Sequence, residues 1–155
     1  MNNEEIKKLI DSFIEFVDVD AKQPIDRERN LMLLLDSLGL SQAYINFEFD
    51  EKDYPDPPME NEKLIRERIT QNFQDYGFYN CAEEIEDKIS KTGIIVGDAI
   101  DDLVDIYKEL FEVSWRWQNT SIADALWHYD YMYRSHWGLH LRNLQLYVFN
   151  KQYGP

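Results

Sequence analysis

The sequence predicts an all-α fold, a single-domain bundle of six or seven helices over residues 1–155 with one proline-rich acidic loop. Three observations carry that prediction. Apolar residues recur every three or four positions along most of the chain, capping residues and glycines punctuate these stretches, and only one short β-branched run, Ile94-Ile95-Val96, departs from helical periodicity. A chain of 155 residues with 44% hydrophobic content can bury one sizeable core.

Ile6, Leu9, Ile10, Phe13, Ile14 and Val17 share helical spacing and predict a first helix over about residues 3–20. After a break at Pro24, Asp26 is placed to cap a second helix carrying Leu31, Leu34, Leu35 and Leu38, and Gly39 suits its left-handed C-terminal position. Residues 47–58, FEFDEKDYPDPP, hold three prolines among dense acid and read as a loop or strap. A third helix carries Leu64, Ile65 and Ile69 and stops at Gly77. Asn80 and Glu83 have capping-box spacing for a short fourth helix through Ile85 and Ile89 that ends near Gly93, after which Ile94–Val96 forms an extended connector. In the fifth helix Ile100, Leu103, Val104, Tyr107, Leu110, Phe111 and Ser114 share one face. Asp98 is its N-cap, and Asp101, Asp102, Asp105, Glu109 and Arg116 occupy the opposite face. Asn119 and Thr120 turn the chain, and Ser121 with Asp124 opens a sixth helix with Ile122, Ala125, Leu126, Tyr129 and Tyr133 inward. Gly138 kinks or divides the C-terminal helical stretch, while the apolar phase runs on through Leu144 and Tyr147.

Charge narrows the partners. Thirty acidic against 16 basic residues give a formal net charge of −14, which argues against nucleic acid and anionic membranes. Residues 1–96 carry 22 acidic and 11 basic side chains, whereas residues 97–155 carry 8 and 5 and hold all four tryptophans and all three histidines. The longest apolar run, Leu31–Leu35, is far short of a membrane span, and Met1–Glu5 has no secretory character, so a cytoplasmic protein is expected. Cys81 is the lone cysteine and excludes an internal disulfide. P-loop, dinucleotide-binding and nucleophile-elbow motifs are absent, and no enzyme class is positively indicated.

The stretch Trp127–His140 holds the chemistry-bearing residues. His136 and His140 are four apart and can present imidazoles to one divalent metal ion, with Asp102 and Asp105 of the fifth helix as the carboxylate ligands. His128 lies eight residues before His136, roughly 12 Å along a helix axis, and does not share that shell. The competing reading makes His140 a core histidine hydrogen-bonded to a carboxylate or carbonyl. Trp127 and Tyr131, with Asp105 and Glu109, form the candidate partner-binding surface, since exposed aromatic groups are common protein-binding hot spots.

Four blocks carry a family resemblance. They are Tyr54-Pro55 followed by Phe73, Asp75 and Gly77-Phe78-Tyr79; Val96-Gly97-Asp98 with Asp101-Asp102-Leu103; Asp105-Ile106-Tyr107 with Leu110; and Ala125-Leu126-Trp127 followed by His136-Trp137-Gly138-Leu139-His140. In these the chain resembles a bacterial domain-of-unknown-function family, number five thousand and sixty-three. The resemblance implies a helical fold and assigns no activity.

The leading expectation is an acidic, non-enzymatic binding module for a basic protein partner, by analogy an immunity protein that neutralises a toxin. The alternative is a metal-binding protein or metal-dependent hydrolase using His136, His140 and the fifth-helix carboxylates. A subunit of a homo-oligomer is a third reading; the sequence leaves the oligomeric state open.

Overall fold

The structure is a computed structural model and describes residues 1–22, 26–58, 61–85, 87 and 89–154. Asn2 opens α1 (Asn3–Asp18) with a full capping box, its side chain accepting from the Glu5 amide and the Glu5 carboxylate accepting from the Asn2 amide. Ile6, Ile10, Phe13 and Val17 are buried along one stripe. Helix α2 (Arg27–Ser41) follows, but Asp26 does not cap it: its φ of 57° is left-handed and its side chain makes no cap bond. Gly39 lies inside α2 and not at its end, where the missing side chain leaves room for the Arg142 guanidinium, 3.1 Å from where a Cβ would stand. The expected break at Pro24 falls outside the described residues.

Residues 45–58 form the irregular strap, tethered where Asp50 accepts from the hydroxyls of Tyr54 at 2.6 Å and Ser121 at 2.7 Å. Helix α3 (Glu62–Asn72) is capped by Asn61 and ends well before Gly77. The Asn72 amide then donates to the carbonyls of Val17 and Asp18 at 2.8 and 3.0 Å, satisfying orphan groups at the end of α1.

The expected fourth helix is instead a β-hairpin. Strands β1 (Phe78–Ala82) and β2 (Ile94–Asp98) pair antiparallel, with Phe78 opposite Asp98 and Ala82 opposite Ile94. Asn80 and Glu83 have the spacing of a cap, yet a helix there would have had nothing to bury, because Ile85 and Ile89 are 96% and 90% exposed. Aromatic and β-branched residues on either side of the turn give the strand ladder the advantage. Ile94–Val96 is thus one strand of a sheet, not a connector.

Helix α4 (Ala99–Asn119) is the centre of the molecule and packs against α1 and α3 on one side. On the other it meets α5 (Ile122–Met132) and α6 (Gly138–Tyr153), which a π-helical turn over Tyr133–Trp137 joins into one continuous rod. Asp98 caps α4 through the Ile100 amide at 3.0 Å, and Ser121 caps α5 through the Asp124 amide at 3.1 Å, both as their sequence positions imply. With the α5–α6 rod counted as one helix, the described residues form five helices and a two-stranded sheet, a helical bundle that is neither strictly all-α nor six- or seven-membered. None of these helices is long and apolar enough to cross a membrane.

The buried cluster runs from Phe13 and Leu35 through Leu103, Tyr107 and Leu110 to Trp137 and Leu144. Phe13 is fully enclosed, so Phe13→Ala is expected to cost about 3–5 kcal/mol. In urea unfolding this reads as a lower midpoint at unchanged slope; a midpoint equal to the wild type would show that α1 does not contribute to the core.

Candidate metal centre

Apart from Asp101, which is exposed and pairs with Arg66, the acidic stripe of α4 does not face open water. Because α4 is covered on both sides, Asp102, Asp105, Glu109 and Glu112 point at the α5–α6 rod, where all three histidines meet them. His140 donates from Nδ1 to Asp102 Oδ1 at 2.8 Å, and His136 donates from Nδ1 to Glu109 Oε1 at 2.9 Å. Both imidazoles thereby turn Nε2 outward from their carboxylate partners. His140 Nε2 lies 3.5 Å from Asp105 Oδ2. One donor atom each from Asp105, His136 and His140 falls within 4.8 Å of the others, and the two rings stand edge to face, 5.1 Å apart. The group is partly open, with the His136 side chain 39% exposed.

Electrostatics fit this arrangement. The Asp102 hydrogen bond, outweighing burial, raises the pKa of His140. Burial pushes the Asp105 carboxyl up despite the neighbouring histidines, and no described side chain hydrogen-bonds it. Glu109 is held below the usual carboxylate value: burial raises it, and its contacts with His128 and His136 more than offset that.

Asp102 has a different place from the one its spacing suggests. It is 4% exposed and both oxygens are engaged, one by His140 and the other by the Tyr79 hydroxyl, so it supports the His140 ring from behind. Tyr79 comes from β1, and the hairpin thus buttresses the centre, a contribution hidden in the sequence because nothing there announces a strand at Tyr79. Tyr79→Phe is expected to lower stability by about 1.5–3 kcal/mol, the range for a hydrogen bond to a charged acceptor. An unchanged thermal midpoint would remove Tyr79 from this network.

The π-helical turn sets the register of the histidines. Eight residues of regular helix would put His128 about 80° around from His136, but one extra residue in the π turn cancels most of that, leaving roughly 20°. His128 consequently reaches the same carboxylate, with Nε2 3.4 Å from Glu109 Oε2 and 3.4 Å from Glu112 Oε1. Trp137 anchors the turn: it is fully buried between the Tyr129 ring at 5.2 Å and the Tyr133 ring at 4.9 Å.

The other candidate residues lie apart. Trp127 stacks on Tyr131 at 5.2 Å, and Phe49 of the strap meets Trp127 at 6.1 Å. Asp105 and Glu109 face the histidines and do not join that aromatic group. Arg134 pairs with Asp130, and Arg142 donates to Tyr133 and Gln145, so neither serves the α4 stripe.

Fold and site together define a histidine–carboxylate helical bundle braced by a β-hairpin. The chain belongs to the family described as a domain of unknown function, DUF5063, which it matches over residues 2–148. Its fold is similar to that of protein BF1032 from Bacteroides fragilis, known from a crystal structure, with a TM-score of 0.79 at 17% identity over 99% of this chain and 94% of that one. No curated protein matches the sequence.

Proposed function

We propose that this is a metal-binding protein in which Asp105, His136 and His140 hold a divalent transition-metal ion. The convergence of their donor atoms carries the reading. Zinc bonded to nitrogen and oxygen at about 2.0–2.2 Å in a tetrahedron separates neighbouring ligand atoms by roughly 3.3–3.6 Å; Asp105 Oδ2 and His140 Nε2 are 3.5 Å apart. Carboxylates behind both imidazoles are the outer shell that fixes tautomer and orientation in metal sites. Asp105, half-buried and without a side-chain hydrogen bond among the described residues, gains a counter-charge. Three protein ligands leave a coordination position for water, which is the requirement of a metal-dependent hydrolase.

The test uses protein purified without a histidine tag and stripped by chelator. Added Zn2+ is expected to raise the melting temperature of the wild type by mass action and to raise that of the His136→Ala/His140→Ala double variant much less. Equal shifts in both proteins, or none in the wild type, would sink the assignment.

A second reading, the acidic module for a basic protein partner, is favoured by the hairpin. Phe78, Ile94 and Val96 share an exposed apolar face beside Glu83, Glu84 and Asp87, and apolar patches rimmed by charge mark protein interaction sites. Such a complex weakens with salt and is blind to the histidine substitutions. Affinity that ignores salt, or that is unaffected by Val96→Glu, would count against it.

A further inference from the structure

The geometry points to a second divalent-cation site, formed by Glu109, Glu112 and His128 and joined to the first through Glu109; this rests on the reading of Asp105, His136 and His140 as ligands. Donor atoms of the three residues lie within 4.8 Å of one another. The independent observation is His128 itself. It is 8% exposed, and its Nε2 is fully enclosed with no hydrogen-bond partner among the described residues, although two carboxylate oxygens approach to 3.4 Å. A lone pair on that nitrogen would face two anionic acceptors, and a proton there finds neither oxygen aligned to receive it. A metal ion between the three atoms satisfies all of them at once, because each is then a donor to the same centre.

Two carboxylates and one imidazole suit Mn2+, Fe2+, Co2+ or Zn2+ better than the all-oxygen preference of Ca2+ or Mg2+. Glu109 is the link between the sites. Its Oε2 faces His128 while its Oε1 accepts from His136 Nδ1, so an ion bound at the second site draws charge from the carboxylate that orients a ligand of the first. Arg116 makes the second site the weaker one. Its guanidinium binds Glu112 Oε1, the same oxygen that lies 3.4 Å from His128 Nε2, at 2.9 and 2.7 Å, so an ion at this site shares that oxygen with a positive charge close by. A cleft of about 230 Å3 between the strap and α3, lined by Pro57, Pro58, Ile65 and Phe111, borders Glu112 and offers a way in.

Titration of untagged, metal-free full-length protein with Co2+, followed by calorimetry and visible absorption, tests the proposal. The wild type is expected to take up two equivalents, the second roughly tenfold weaker or more because of the Arg116 charge. His128→Gln should leave one equivalent at near wild-type affinity, and Glu112→Gln, which keeps the shape of the side chain, should do the same if His128→Gln fails to fold by circular dichroism. His140→Ala should leave only the weaker equivalent, and Glu109→Gln should weaken both. One equivalent in the wild type that is lost in His140→Ala but survives His128→Gln overturns the second site and leaves the first standing. Two equivalents that ignore both His128→Gln and Glu112→Gln also overturn it, since the second ion is then elsewhere on the acidic surface. Binding lost in His128→Gln and kept in His140→Ala supports the second site against the first, and no binding in the wild type overturns both.

Discussion

The Gly138→Ala protein is expected to melt well below the wild type and to lose its affinity for divalent ions. The backbone of Gly138 is ordinary helix with φ −63°, so the cost is steric and not conformational. A Cβ would stand 2.2 Å from the Tyr133 carbonyl oxygen, the acceptor of the Gly138 amide across the π turn. Backbone cannot swing aside as a side-chain tip can. Relief requires the turn to rewind, and losing its extra residue would rotate everything after it by about 100°, carrying Leu141, Leu144 and Val148 out of the core. A loss of about 3 kcal/mol or more follows from overpacking a rigid site, or roughly 6–12 °C in midpoint for a chain of this size. Calorimetry within a degree of the wild type would mean that the π turn does not hold the histidines in register.

Asp102→Ala is expected to lower stability and metal affinity together. The substitution strips the acceptor from both Tyr79 and His140 inside a nearly sealed site. Stranding buried partners of an ionised group costs several kcal/mol when both are fully enclosed; His140 keeps some access to water, so about 2–3 kcal/mol is expected. With its Nδ1 partner gone, the His140 ring loses its fixed tautomer, and affinity should fall about 10–100-fold. Urea unfolding and Zn2+ titration of the same preparation measure both effects. Full affinity in a destabilised variant would make Asp102 purely structural.

Much of the helical fold is legible in the sequence because its helices show apolar stripes and capping residues. Ile6, Ile10, Phe13 and Val17 are buried as their spacing implies, and the caps at Asp98 and Ser121 hold. The hairpin is hidden for a local reason: Phe78-Tyr79 and Ile94–Val96 are each too short to announce a strand, and only their pairing across residues 83–93 makes one. The acidic stripe is misleading for a tertiary reason. Projection assigns one buried face per helix, whereas α4 is covered on two sides, so carboxylates that look solvent-facing in projection become partners of histidines. The His136–His140 pair is visible from spacing alone. The inclusion of His128 is not, because a π turn changes the register without any motif of its own; Gly138, with Tyr133 five residues before it, is the only trace.

Whether Asp105, His136 and His140 are metal ligands is decided by crystals of the untagged wild type grown with Zn2+ and measured at the zinc absorption edge. An anomalous peak is expected at about 2.0–2.2 Å from Asp105 Oδ2 and from Nε2 of both His136 and His140, with Asp102 and Glu109 still bonded to the Nδ1 atoms. Peaks confined to other acidic surfaces, with those three side chains unmetallated, would contradict the assignment.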